Sequence, residues 1–285
     1  MQDFDAQAGA FGARIEKELK SASLNFPTSL DVTLRIKRMA DDPDVSLNQI
    51  ATLVSAEPVL SARLVKMANS ALLNPYGREI TSVSAALQRV GLSLVRTLAL
   101  SVAAEQLASD DRSLAMREIA AGLWRHSVDV ASWAHAIARE VGGVQPDTAL
   151  FAGMMVDIGQ FFLVARASEF PAMASDVDRF GEFVSIWSEP VGRAILESFG
   201  LPDLVLDAYN YEDPYGGEWP PRSLSDVVFT ATLASETPNP FDTVLGGRRG
   251  RWESLLESSM PIERLDAIKL AATEGRNAIH AAMAG

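Results

Sequence analysis

Apolar residues recur along this chain at three- and four-residue steps, the period of an amphipathic helix. In "LSLVRTLALSVAAEQLA" the series Leu94, Leu98, Val102 draws one apolar stripe. Alternating Val/Ile/Thr runs bounded by tight hairpin turns do not occur, so strands have no support. The pattern predicts an all-α protein. A first helix is expected over about residues 5–22 and a second over about 29–41, parted by "LNFPTSL" with Pro27. Ser46 followed by Gln49 has capping-box spacing and opens "LNQIATLVSA". Glu57-Pro58 ends that helix and starts the next, with proline at a first helical position. The helix from Pro58 runs to about Ala71, before the loop "LLNPYGREI". "TSVSAALQRV" and "LSLVRTLALSVAAEQLA" read as two helices split at Gly91.

"SDDRS" at 109–113 marks a seam between two helical subdomains. Beyond it lies "MREIAAGLWRHSVDVASWAHAIAREVGG", a long helix closed by glycines. "FAGMMVDIGQFFLVAR", residues 151–166, reads as a second long helix. Later helices are expected at about 179–199, 202–210, 223–235 and 262–281. Loops at 209–221 and 237–250, rich in Pro, Gly and Asn, interrupt them; the second carries a basic "RRGR" patch, read as a solvated loop.

Composition narrows the class. The chain has 285 residues, 48 % of them hydrophobic, which is enough for a real core and unlike a disordered segment. Cysteine is absent, which excludes disulfides and thiolate metal sites and suits a cytoplasmic protein. The start, "MQDFDAQAGA", lacks the basic and apolar parts of a signal peptide. The longest uncharged apolar runs, such as Thr97 to Ala104, fall short of the ~20 residues of a spanning helix. Net charge is −12, of which −11 belongs to residues 116–285. An acidic surface repels phosphate backbones and argues against nucleic acid as a partner.

Chemistry-bearing residues are few. His126 and His135 lie nine residues apart on one helix, about 900° of rotation, and so face opposite sides. They do not grip one ion together, and no i, i+4 histidine pair exists. His280 lies on an Ala-rich C-terminal helix and is expected to face solvent. No G-x-S-x-G elbow and no phosphate-cradling glycine loop is present. Asp157 stands in an apolar run, where a buried carboxylate needs a pair, a metal or a proton. Asp129 follows His126 by three residues and shares its face. His126, Asp129 and Asp157 therefore make one polar cluster. It suits a hard or borderline metal ion, or a hydrogen-bonded pair tying two core helices. Both readings stand on residues alone. The helices 46–56 and 58–70 also suggest a helix-turn-helix DNA-binding regulator, with Arg63 and Lys66 as its contacts.

Several short motifs in order resemble a known family, the HDOD domain (the HD-related output domain of bacterial signalling proteins). They are "FPTSLDVTLRIKRMADDPDVSLNQIATLVSAEPVLSARLVKMANSALLNP", "EITSVSAALQRVGLSLVRTLALSVA", "LWRHSVDVA" and "FAGMMVDIGQFFL". The resemblance spans roughly residues 23–235. It implies an N-terminal helical bundle (23–112) packed on a helical part (113–235) related to HD-type metal phosphohydrolases. Residues 1–22 form a preceding helix, and 236–285 complete the second part, where their helix could cap the fold or dimerise.

In those enzymes a His, a His-Asp pair and a later Asp hold the metal. The first His matches His126; the pair falls on Val156 and Asp157; the later Asp falls on Thr232. Further family histidines fall on Ser188, Tyr211 and Glu212, and a basic residue on Gln160. Two of four core ligands survive, which does not make a catalytic set. The resemblance thus implies a non-catalytic signalling module acting through protein partners, without metal or cofactor. Its vestigial positions are His126 and Asp157, with Asp129 and Glu212 as possible extra ligands. The alternatives are a metal-dependent phosphohydrolase with an atypical ligand set and the DNA-binding regulator. Any upstream input would come from another polypeptide or a longer chain.

Overall fold

A computed structural model describes residues 4–21, 36, 39, 45–69, 73–74, 76–92, 95, 98, 113–198, 201–209, 219–245 and 262–284. Among the described residues there are helices and turns but no strand. The chain is all-α, as the periodicity predicts. Most of the helix expected at 29–41 (only Ile36 and Met39, both helical, are described), most of "LSLVRTLALSVAAEQLA", the "SDDRS" seam apart from Ser113, the "RRGR" patch, Tyr211 and Glu212 lie outside the described residues. So does the side chain of His280.

Helix α1 (Phe4–Ser21) turns Phe11 and Ile15 inward. The Phe11 ring stacks on Phe170 and Phe183, at 4.5 and 5.1 Å between centroids. Helices α2 (Leu47–Ser55) and α3 (Pro58–Ala68) follow as a pair. The Ser46–Gln49 capping box forms in both directions, and Glu57 caps α3 by accepting from the Leu60 N–H at 2.5 Å. Helix α3 stops at Ala68 rather than Ala71, because Asn69 turns its amide to the backbone of Ile80. Residues 83–92 form α4, where Gly91 takes φ of 77° and regular α geometry breaks.

Helix α5 (Leu114–Val141), 28 residues long, is the axis of the second half. Ser113 caps it and Gly142, at φ 69°, ends it. Against it pack α6 (Pro146–Met154), α7 (Ile158–Arg166) and α11 (Leu224–Ala234). Helices α8 (Pro171–Ser175), α9 (Val177–Ser198) and α10 (Asp203–Ala208) lie between α7 and α11 in sequence. A short α12 (Asp242–Leu245) lies inside the loop expected at 237–250. The last helix, α13 (Ile262–Ala284), runs along α5 and also reaches α2.

The stretch 151–166 is not one helix. It is the end of α6, a turn at 155–157, and α7. The turn is held by i→i−3 bonds, Met155 N–H to Ala152 at 3.0 Å and Ile158 N–H to Met155 at 3.0 Å. Apolar periodicity misses the break because both helices are buried on nearly every side. By length and composition Pro146–Glu169 would pass for a membrane span, although Asp157 divides it and its uncharged runs stay short, as expected. Yet 78 % of its apolar window is buried within the protein, so the apolar excess belongs to the core.

Two glycines set the spacing here. A Cβ on Gly153 would lie 2.8 Å from the Ala131 Cα, so α6 crosses α5 at close range. A Cβ on Gly159 would lie 1.9 Å from the Ser188 carbonyl oxygen, so α7 lies directly on the backbone of α9.

Candidate functional site

Helix α5 presents His126 and Ser127 side by side, and the turn before α7 delivers Asp157 to them. The His126 Nδ1 lies 2.7 Å from Asp157 Oδ2, and the Ser127 hydroxyl donates to the same oxygen at 2.7 Å. Asp157 Oδ1 accepts from the Asn239 amide at 3.0 Å. That amide's second N–H reaches Gln160 Oε1, also at 3.0 Å. The Asn239 carbonyl oxygen accepts from the Phe241 N–H at 2.9 Å, so the whole Asn239 side chain is satisfied.

Asp157 occupies the N-cap of α7, yet its side chain makes no cap bond. An aspartate there would ordinarily accept from the first turn of its own helix. Instead three donors from α5 and the 239 segment engage it, while the α7 dipole still favours its charge. His126 and Asp157 are buried, at 5 % and 1 % exposure. Burial pushes the His126 imidazolium toward neutrality, but Asp157, with lesser help from Asp242 and Asp129, outweighs it and raises its pKa. An imidazolium facing a carboxylate is the arrangement this favours.

The other expected residues disperse. Asp129 lies on the same helix as His126 but joins a different network. Its Oδ2 accepts from the Ser235 hydroxyl at 2.9 Å, the Glu236 N–H at 2.8 Å and the Thr237 N–H at 2.9 Å. Its Oδ1 accepts from Arg276 at 2.8 Å. The expected single cluster is therefore two, because one helical turn separates a side chain aimed at α7 from one aimed at the end of α11. Val156 is buried hydrocarbon. The Thr232 hydroxyl donates to the Val228 carbonyl of its own helix at 3.0 Å. At the Ser188 position the backbone carbonyl accepts from the Tyr209 hydroxyl at 3.2 Å. His135 points elsewhere, half-buried and 3.9 Å from Asp147; burial lowers its pKa against the pull of that carboxylate.

Ser127 and Asn239 are the members that pattern reading missed. The spacing Asn239–Asp242 was a signal, since it matches a capping box and the Asn239 N–H does donate to Asp242 Oδ2 at 3.0 Å. What no spacing could reveal is that the same asparagine spans two acceptors on α7.

Among the described residues no three His, Asp or Glu side chains are placed to hold a metal ion. One imidazole and one carboxylate, already bonded to each other, with hydrocarbon at Val156, do not fit an HD-type metal. The arrangement is suited to tying α5, α7 and the 239 segment together.

Comparison with known proteins bears on this geometry. A family model for the HDOD domain matches residues 26–214. A crystal structure of a candidate metal-dependent phosphohydrolase from Shewanella amazonensis is similar over 96 % of this chain and 99 % of its own, at 26 % identity and a TM-score of 0.53. The MmoQ response regulator of Methylococcus capsulatus shares the fold over 82 % of this chain and 99 % of its own, at 21 % identity and a TM-score of 0.57. An uncharacterized protein of Treponema pallidum is 25 % identical over 228 residues, 72 % of this chain. The match spans 42 % of that relative, less than half its length.

Proposed function

From its place in the HDOD domain family, to which this chain belongs, we infer that the protein is a signal-transduction output module. In this reading it works in the cytoplasm through protein–protein contacts and turns over no substrate. One observation carries it: Asp157 is engaged by His126, Ser127 and Asn239. Val156, where the lineage would place a second imidazole, offers no donor atom. A hydrolytic metal needs several charge-donating ligands and an open position for water. The fold shared with a response regulator supports the signalling role.

Metal analysis of protein purified without chelator tests this reading. The expected result is no stoichiometric Fe, Mn, Ni or Zn and no phosphodiesterase activity. Stoichiometric metal, with activity lost in His126→Ala, would overturn it. That outcome would favour the second reading, a phosphohydrolase with an atypical ligand set, which the similarity to the Shewanella protein supports. DNA recognition through α3 has less support. Val59, Leu60, Ala62, Leu64, Val65 and Ala68 bury most of that helix, leaving little of it for a groove.

A further inference from the structure

The C-terminal helix α13 is held unevenly. Leu265, Ile268 and Ala272 are buried and anchor its first half. Further along, Gly275 faces Ser132, at 3.6 Å from where a Cβ would stand. The Arg264–Glu140 pair is exposed and adds little. Among the described residues, the buried polar contact of this helix is Arg276 to Asp129 at 2.8 Å. Arg276 also lies 3.5 Å from Glu236, which is exposed.

Asp129 is fully buried, and Arg276 is the cation bonded to it. Its other oxygen holds three donors from consecutive residues, Ser235, Glu236 and Thr237. If Arg276 leaves, a buried carboxylate loses that countercharge, and it must shift toward water or take up a proton. Either response disturbs the turn at 235–237. Two residues later Asn239 makes the bonds to Asp157 and Gln160. Pro238 and Pro240 flank it, and their fixed φ makes this segment stiff. Displacement of the turn is thus carried to Asn239 rather than absorbed.

The geometry points to α13 as a releasable strap across both halves of the protein. Its seating is coupled, through Asp129 and the 235–239 segment, to the hydrogen bonds at Asp157. The two states are the strap seated on α5 and α2, and the strap released with Asp129 re-solvated. Coupling of this kind is reciprocal, so loosening Asn239 must loosen α13. The inference holds whether the Asp157 site is vestigial or active.

Amide hydrogen exchange and imidazole ¹⁵N spectra of the full chain test it. Arg276→Met keeps the aliphatic stem and removes the charge. Exchange at Glu236, Thr237 and Asn239 should rise at least about tenfold, with displaced His126 resonances. Arg276→Lys should restore most of the protection. Independently, Asn239→Ala should speed exchange across residues 265–276, and this arm stands where Arg276→Met gives too little folded protein. The strap is overturned if Arg276→Met loosens α13 alone, leaving 236–239 and His126 as in wild type. It is equally overturned if Asn239→Ala leaves α13 exchange unchanged.

Discussion

Asp129 and Asp157 are both buried, at 0 % and 1 % exposure, and their charges are satisfied in opposite ways. Asp129 faces a permanent cation, Arg276, and two backbone N–H groups fixed by the chain itself. Asp157 faces an imidazole, a hydroxyl and an amide, all side chains and one of them titratable. The first arrangement binds the chain to its own backbone. The second depends on an imidazole whose pKa burial lowers but Asp157 raises by more. A carboxylate can therefore persist in a core for two unrelated reasons, and its neighbours in space identify which applies.

The widest separation between the two should come from Asp129→Ala. It leaves the Glu236 and Thr237 N–H groups without their acceptor and removes the buried carboxylate that Arg276 faces. A loss of about 3–5 kcal/mol in urea unfolding is expected. A loss no greater than at a surface site would erase the distinction.

Asp157→Asn should be milder, about 1–3 kcal/mol. Either orientation of the new amide sets its NH₂ against an existing donor, the Ser127–His126 pair on one side or Asn239 on the other. A variant as stable as wild type would mean that the second carboxylate oxygen adds nothing to the network.

The smallest effect is a slope with pH. His126 has a raised folded-state pKa, caused by Asp157 against the opposing effect of burial. Its contribution is therefore full below the unfolded value of about 6.5 and fades as pH rises through the folded one. The stability difference between wild type and His126→Gln should shrink as pH rises from about 6.5 through the raised folded-state pKa. The difference between wild type and Arg276→Met should not show this loss. Parallel profiles would show that His126 never charges.

Much of the fold was legible because its signals are local. The Ser46–Gln49 box, Pro58 at the start of α3 and the glycines after α5 each act within a few residues, and each appears where the sequence places it. The break in 151–166 was not legible. When α6 and α7 are buried all round, apolar residues lose their period and a bend leaves no gap in the pattern. The site was legible by half. His126 and Asp157 pair as one of the two open readings required. Asp129 shares a helical face with His126, but three residues of rise carry it to another neighbour. Asn239 lies 82 positions from Asp157, beyond the reach of any spacing rule.

Gly159 follows Asp157 by two residues in the first turn of α7, and α9 leaves no room there for even one carbon. A glycine two residues after Asp157 is thus demanded by how two helices meet, without reference to any ion. A text search keyed to the Asp-Ile-Gly tripeptide would recover chains that share a crossing, whether or not they share a reaction. Its diagnostic value lies one position earlier, at residue 156, where packing tolerates hydrocarbon and only chemistry would ask for an imidazole.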